Sequence, residues 1–296
     1  MSELKSSLCI IISGILWGGL PLFIKYFAAA GFSSEQIVFT RVLFSSVFLT
    51  TWCVVRSPAS LRIRPADSWC FAGTGIVSIM LFSYCYFRTI ESANIALAAL
   101  LLYTSPIFVL FFSVLFFGER MTGRKLLAVA CTFTGCASIT GLFGGSTMVA
   151  PWPIIFIGLG AGLFYSLYTI FGKFALGRYD SLTVITYTFI FATLGTTFLV
   201  PLPETFSLYM DRTVFLAACG MAFFCTLASF GLYTIGLKRV APSKAGVLVT
   251  VEPVVSALIG ILVFHEHAGI ATFVGMALIL SAPLFLNSSI PTESNG

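Results

Sequence analysis

Tyr103-Thr104-Ser105-Pro106 and Thr250-Val251-Glu252-Pro253 are two copies of one element, set apart by 253 − 106 = 147 residues. The same offset carries Tyr86 onto Tyr233, Ala98 onto Ala245, Phe117 onto Phe264 and Glu119 onto Glu266. Nearer the start of each copy, Gly14, Phe23, Lys25 and Ser33 map onto Gly162, Phe171, Lys173 and Ser181 at an offset of 148, a slip of one residue. The chain is a tandem duplication, and the repeat divides it into residues 1–147 and 148–296.

Composition says what has been duplicated. Hydrophobic residues make up 58% of the 296 residues, charged residues 9%, and the mean hydropathy is +1.02. A soluble domain carries roughly a quarter of its residues as charges to cover its surface, so most of this chain is solvated by lipid. The net charge of +5 falls in short clusters between apolar runs, which is orientation information and not a nucleic-acid footprint. Cysteines 9, 53, 70, 85, 131, 136, 219 and 225 lie almost all within apolar runs, with no C-x-x-C pair. They read as small buried hydrophobes, and neither a metal nor a cofactor is implied.

Crossing the hydrocarbon core takes about 20 apolar residues. Ten such runs are present: residues 8–28, 36–55, 69–87, 94–117, 126–143, 152–176, 181–202, 213–237, 241–264 and 268–287. Runs this long satisfy their own amides only as helices. Despite Ala28-Ala29-Ala30, the first reads as a retained helix and not a cleaved signal, because it is long and further spans follow. With the N-terminus in the cytoplasm, twelve basic residues face inward: Lys5; Arg56, Arg62, Arg64; Arg120, Arg124, Lys125; Lys173, Arg178; Lys238, Arg239, Lys244. Only Lys25, Arg88 and Arg212 face outward, a strong positive-inside asymmetry. Five spans per repeat is an odd number, so the second copy enters the bilayer upside down. Many secondary transporters build one site reachable from either side in this way. The expectation is an all-α membrane protein with ten transmembrane helices in two inverted five-helix repeats. It sits multi-pass in a plasma (bacterial inner) membrane with both termini cytoplasmic. The loop at Gly144-Gly145-Ser146 links the halves, and 288–296 is a polar tail.

Candidate site residues follow from depth and from the repeat. Pro106 and Pro253 sit mid-span in equivalent helices, where each removes an amide donor and clashes with the carbonyl four residues back, at Leu102 and Val249. They read as gating kinks that open polar backbone onto a cavity, the alternative being packing kinks of the kind membrane bundles tolerate. Glu252 lies near the midplane, where a charge costs at least ~2.5 kcal/mol even on lenient scales and usually faces a cavity. Its repeat partner is Ser105, so the fold itself does not require a carboxylate. Glu252 is a candidate for proton coupling, for holding a substrate amine, or for bonding the carbonyl that Pro253 frees. Arg41, opposite Phe189 in the repeat, has two readings. It snorkels to the outer interface or pairs structurally with Glu91, or it meets a substrate carboxylate. Trp17, Tyr103, Tyr165 and Tyr168 fall at mid-depth, where indole and phenol groups need partners that lipid lacks. With Ser105 and Thr250 they are the candidate substrate-binding set, the alternative being packed or lipid-facing aromatics. Gly14-x-x-x-Gly18 and Gly158-x-x-x-Gly162 allow close helix approach. His265-Glu266-His267 lacks the third position of a zinc-protease helix, since residue 269 is Gly269. The repeat places Glu266 on Glu119, which makes it a helix-end motif whose carboxylate binds free amides at the N-terminus of the next helix.

Phe117-Gly118-Glu119-Arg120-Met121-Thr122 after Tyr103-Thr104-Ser105-Pro106, and Glu252-Pro253 followed by Phe264-His265-Glu266, resemble the EamA-type drug/metabolite transporter superfamily. Trp17-Gly18, Lys25 and Arg41 fit the same pattern, and His265 stands where that family usually has glycine. The resemblance covers both repeats. It implies a ten-helix carrier with cytoplasmic termini that moves amino acids, amines or other metabolites, often outward. A membrane-embedded enzyme would need a nucleophile–base pair or metal ligands at one depth, and a receptor or scaffold usually carries a soluble domain. No ATP-binding loop of the G-x-x-x-x-G-K-[ST] type occurs. A secondary exporter of a small solute is the leading reading, with protons as a candidate coupling ion.

Overall fold

The structure, a computed structural model, describes residues 2–141 and 150–287; Gly144-Gly145-Ser146, the division at 147/148 and the tail 288–296 lie outside them. All regular structure among the described residues is helical. Eight helices are long and apolar enough to cross a bilayer: α1 (Glu3–Ala29), α2 (Ser34–Arg56), α3 (Pro65–Ser92), α4 (Ile95–Phe117), α6 (Trp152–Leu176), α7 (Ser181–Leu199), α8 (Arg212–Leu237) and α9 (Pro242–Leu262). The shorter α5 (Gly123–Ile139) and α10 (Ile270–Asn287) stand at the two remaining expected spans, and a further short helix covers Leu202–Leu208 between α7 and α8. Large apolar side chains such as Trp52, Phe198 and Leu284 stand exposed around the bundle, as a lipid-facing surface requires.

Local chemistry fixes the helix ends. Ser33 and Gln36 close a capping box at the start of α2. Asp180 accepts from the amide of Thr183 at 2.7 Å to start α7, and Asp211 accepts from Thr213 and Val214 to start α8. The first helix begins at Glu3, five residues before the apolar run, because Ser2 caps it by accepting from the Lys5 amide.

The repeat is legible in the packing. α1 packs on α8 as α6 packs on α3, α2 packs on α7, and α5 packs on α10. Exchanging the two repeats reproduces this pattern, as a pseudo-two-fold axis between them requires. Ion pairs between distant residues also join ends that alternating helices bring to one face. Glu3 meets Lys244 and Asp67 meets Arg178 at the face where α1 begins, here the amino-terminal face. Lys25 meets Glu266 at the opposite face.

The expected proline kinks are complete breaks. α4 stops at Leu102, turns through Tyr103 and Thr104, and resumes at Ser105, giving halves α4a (Ile95–Leu102) and α4b (Ser105–Phe117). α9 stops at Leu248 and resumes at Val251, giving α9a (Pro242–Leu248) and α9b (Val251–Leu262). Pro106 and Pro253 therefore occupy the first turn of the second half-helix, where a missing amide costs nothing. The glycines explain why the chain breaks there. A Cβ on Gly14 would lie 2.7 Å from the carbonyl oxygen of Val249, and one on Gly162 would lie 2.7 Å from that of Leu101. α1 thus lies against the break in α9, and α6 against the break in α4. The repeat also places a stretch of wider π-type turns in equivalent parts of α3 (Gly73–Met80) and α8 (Phe223–Ala228). Gly118 and its equivalent His265 both take left-handed backbone, at φ 64° and 55°. For the histidine this geometry costs roughly 1–2 kcal/mol, which the duplicated turn imposes on it.

Candidate substrate cavity

Both breaks open onto one cavity of about 80 Å3. Each half of the chain contributes walls. α1 supplies Trp17 and Leu20, α2 Arg41, α3 Ser78, Ile79 and Phe82, and α4 Leu102, Ser105 and Val109. From the second half come Tyr165, Tyr168 and Thr169 of α6, Phe230 and Tyr233 of α8, and Gly246, Val249 and Glu252 of α9. Tyr165, Tyr168 and Thr169 share a wall because positions three and four apart lie on one helix face.

Aromatic rings form most of the lining. Phe230 sits edge-on to Trp17 at 4.7 Å and to Tyr168 at 4.9 Å, and Phe82 sits edge-on to Tyr165 at 5.3 Å. Two hydroxyl pairs tie the α6 wall to α8: Tyr168 with Thr234 at 2.8 Å, and Thr169 with Tyr233 at 2.6 Å. Their polar atoms are thereby satisfied within the wall. Glu252 accepts one bond, from the Tyr165 hydroxyl at 3.2 Å. Arg41 is only 9% exposed, its guanidinium lies 6.0 Å from the Phe230 ring, and its buried Nε has no hydrogen-bond partner. The buried indole N–H of Trp17 also lacks one. Arg41 belongs to none of the ion pairs among the described residues. One acid, one base and an unpaired indole donor therefore converge on an aromatic chamber.

Of the residues singled out in the sequence, Trp17, Arg41, Ser105, Tyr165, Tyr168 and Glu252 line this chamber. Tyr103 does not: it sits in the α4 break and packs on the cluster of Cys136, Val254, Met276 and Ile279. Thr250 does not either, since its hydroxyl is turned back to donate to the Val247 carbonyl at 2.6 Å. The outer-interface reading of Arg41 is corrected too. Arg41 points into the bundle, and Glu91 pairs with Arg88 at 3.2 Å. Five residues of depth is less than two helical turns, so rotation about α2 decides the direction of the side chain. Ser78, Thr169, Phe230 and Tyr233 were missed. Only Tyr233 carried a signal, as the repeat partner of Tyr86.

The sequence matches the EamA-like transporter family over residues 4–141 and again over 152–288. The chain belongs to the EamA-like transporter family. It is a membrane transporter, in a family of carriers and not of enzymes. An uncharacterized transporter of Archaeoglobus fulgidus is 28% identical over 280 residues, 93% of each chain. The uncharacterized inner membrane transporter YicL of Salmonella typhimurium is 22% identical over 291 residues, 97% of this chain and 96% of its own. A crystal structure superposes with a TM-score of 0.80 at 20% identity, covering 97% of both chains, which shows that the two share a fold.

Proposed function

We propose that this EamA transporter exports a small amphipathic metabolite, an amino acid, amine or related solute, by alternating access coupled to protons. The observation that carries the proposal is the chamber between the two broken helices. Glu252 and Arg41 face it without pairing, among aromatic walls. A solute with an apolar body would stack on Trp17, Phe230 and Tyr168, its cationic group meeting Glu252 and its anionic group Arg41. Binding to buried groups that otherwise lack an ion partner gives selectivity, because an analogue without the matching charge leaves them uncompensated. Glu252 exchanges a proton for the solute, with the Tyr165 hydroxyl as its neighbour in both states. The pair Pro106 and Pro253 mark the hinges, which let the half-helices of α4 and α9 swing. Purified protein in liposomes, loaded with radiolabelled amino acids and amines, should move one class faster when a pH gradient is imposed. Equal flux of every class with and without the gradient would refute the proposal.

The direction of export needs an orientation, and the twelve-to-three distribution of basic residues supports a cytoplasmic amino-terminal face. A reporter that fluoresces only in the cytoplasm should glow when fused after Gly296 and stay dark when inserted within 144–147. The reverse pattern would invert the proposed orientation.

A further inference from the structure

The repeat makes the two faces of the protein equivalent in parts, yet they are packed differently. At the amino-terminal face α4b and α9a pack on each other, and α9a packs on α6. Their counterparts at the opposite face, α9b with α4a and α4a with α1, show no comparable packing. The closed side is drawn tight at Gly246, where an added Cβ would lie 3.2 Å from Val109. Two charged residues fasten it. Glu119 accepts from the Ser243 amide at 3.3 Å, from the Ser243 hydroxyl, and from Lys125 at 2.5 Å, and is only 12% exposed. Lys173 donates to the carbonyls of Leu237 at 2.7 Å and Val240 at 3.1 Å, holding the end of α8.

The counterparts of Glu119 and Lys173 are Glu266 and Lys25, and they make none of these contacts. They bond each other at 3.1 Å with more than half of each side chain exposed, Lys25 resting 3.4 Å above the Phe264 ring. The repeat offset states what they would hold if the opposite face closed. Glu266 would take the amide of Ala96 (243 − 147), and Lys25 the carbonyls of Ile90 and Ala93 (237 − 147 and 240 − 147). Ser256 would meet Ala99 (109 + 147 and 246 − 147).

We infer that Glu119 and Lys173 latch the gate at the amino-terminal face, and that Lys25 and Glu266 latch the opposite gate in a second conformation. The Lys25–Glu266 pair is the parked form of that second latch. The inference rests on the alternating-access reading above. The two latches are unequal, because Lys125 has Thr272 as its counterpart (125 + 147) and an exposed ion pair contributes little. The resting protein is therefore closed at the amino-terminal face and open opposite it. Bound solute, drawing α4 and α9 together at their breaks, is what favours the exchange.

Disulfide trapping in the full-length protein in liposomes tests this, with linked peptides mapped by mass spectrometry so that the native thiols need not be replaced. V109C/G246C should link readily. A99C/S256C should link slowly, severalfold faster when E119Q is added, and slower when E266Q is added. E266Q alters an exposed pair, so its effect does not depend on a variant of the buried latch folding. Absence of any A99C/S256C link while the wild type still transports would overturn the inference, as would rates indifferent to both latch variants. Links that respond as expected in a protein that moves no solute would sustain the latches and refute the transport reading.

Discussion

Glu252→Gln is expected to abolish the response to a pH gradient while leaving the protein folded. The Tyr165 hydroxyl donates to Glu252 at 3.2 Å, and the amide oxygen of Gln accepts the same bond at the same place. The variant also removes an ionisable group from a buried chamber, so expression and thermal stability should match the wild type. Proton-driven flux should fall at least about tenfold, equivalent to ~1.4 kcal/mol in the barrier, because Gln neither takes up nor releases a proton. Exchange of labelled for unlabelled solute at equal pH separates the two roles of the residue. If exchange survives, Glu252 carries only the proton. If exchange is lost as well, Glu252 also holds the substrate cation. Wild-type flux with unchanged pH dependence would mean that the carboxyl merely completes the Tyr165 contact.

How far the sequence could be read varies with the kind of information each feature carries. Duplication is recorded residue by residue, so the offset between Glu119 and Glu266 identified the repeat and the helix-end role of Glu119, while the odd number of apolar runs per repeat identified the inversion. Its carboxylate does bind a free amide, although the amide belongs to Ser243 in the other repeat and not to the next helix. Depth is also legible, and it placed Trp17, Tyr165, Tyr168 and Glu252 near the middle of the bundle. Rotation about a helix axis is not legible where nearly every face is apolar. Tyr103 and Leu102 differ by one residue, or about 100°, and only Leu102 lines the chamber. The same ambiguity sent Arg41 to the interface on paper and into the cavity in the fold. The π-type turns in α3 left no trace in composition, yet they place Ser78 and Ile79 on the wall. A proline announces a lost hydrogen bond. Whether the helix then bends or stops depends on what lies against it, and here that is a glycine of the other repeat, Gly14 against α9 and Gly162 against α4.

Those glycines give the second large effect. Gly162→Ala should destabilise the protein and stop transport, whereas Gly123→Ala should do neither. A methyl group at 162 would fall against the Thr104 hydroxyl and 2.7 Å from the Leu101 carbonyl, with the Leu102 carbonyl at 3.2 Å. Two of these neighbours are backbone at the α4 break, so relief requires α6 to retreat from α4. Overpacking of this kind costs about 1–3 kcal/mol, enough to lower the unfolding midpoint by several degrees. Function should suffer more than stability, because a displaced α6 carries Tyr165 and Tyr168 away from the chamber and Tyr165 from Glu252. Gly14→Ala should behave alike from the other repeat, where the methyl would meet Val251 at 2.6 Å and the Val249 carbonyl at 2.7 Å. Gly123 has nothing within 4 Å of an added Cβ, and the same substitution there isolates crowding from the general preference of helices for alanine over glycine. Thermal melts in detergent, read beside flux in liposomes, decide the matter. If the 162 and 14 variants melt and transport like the 123 variant, close approach at the two breaks is not what shapes the chamber.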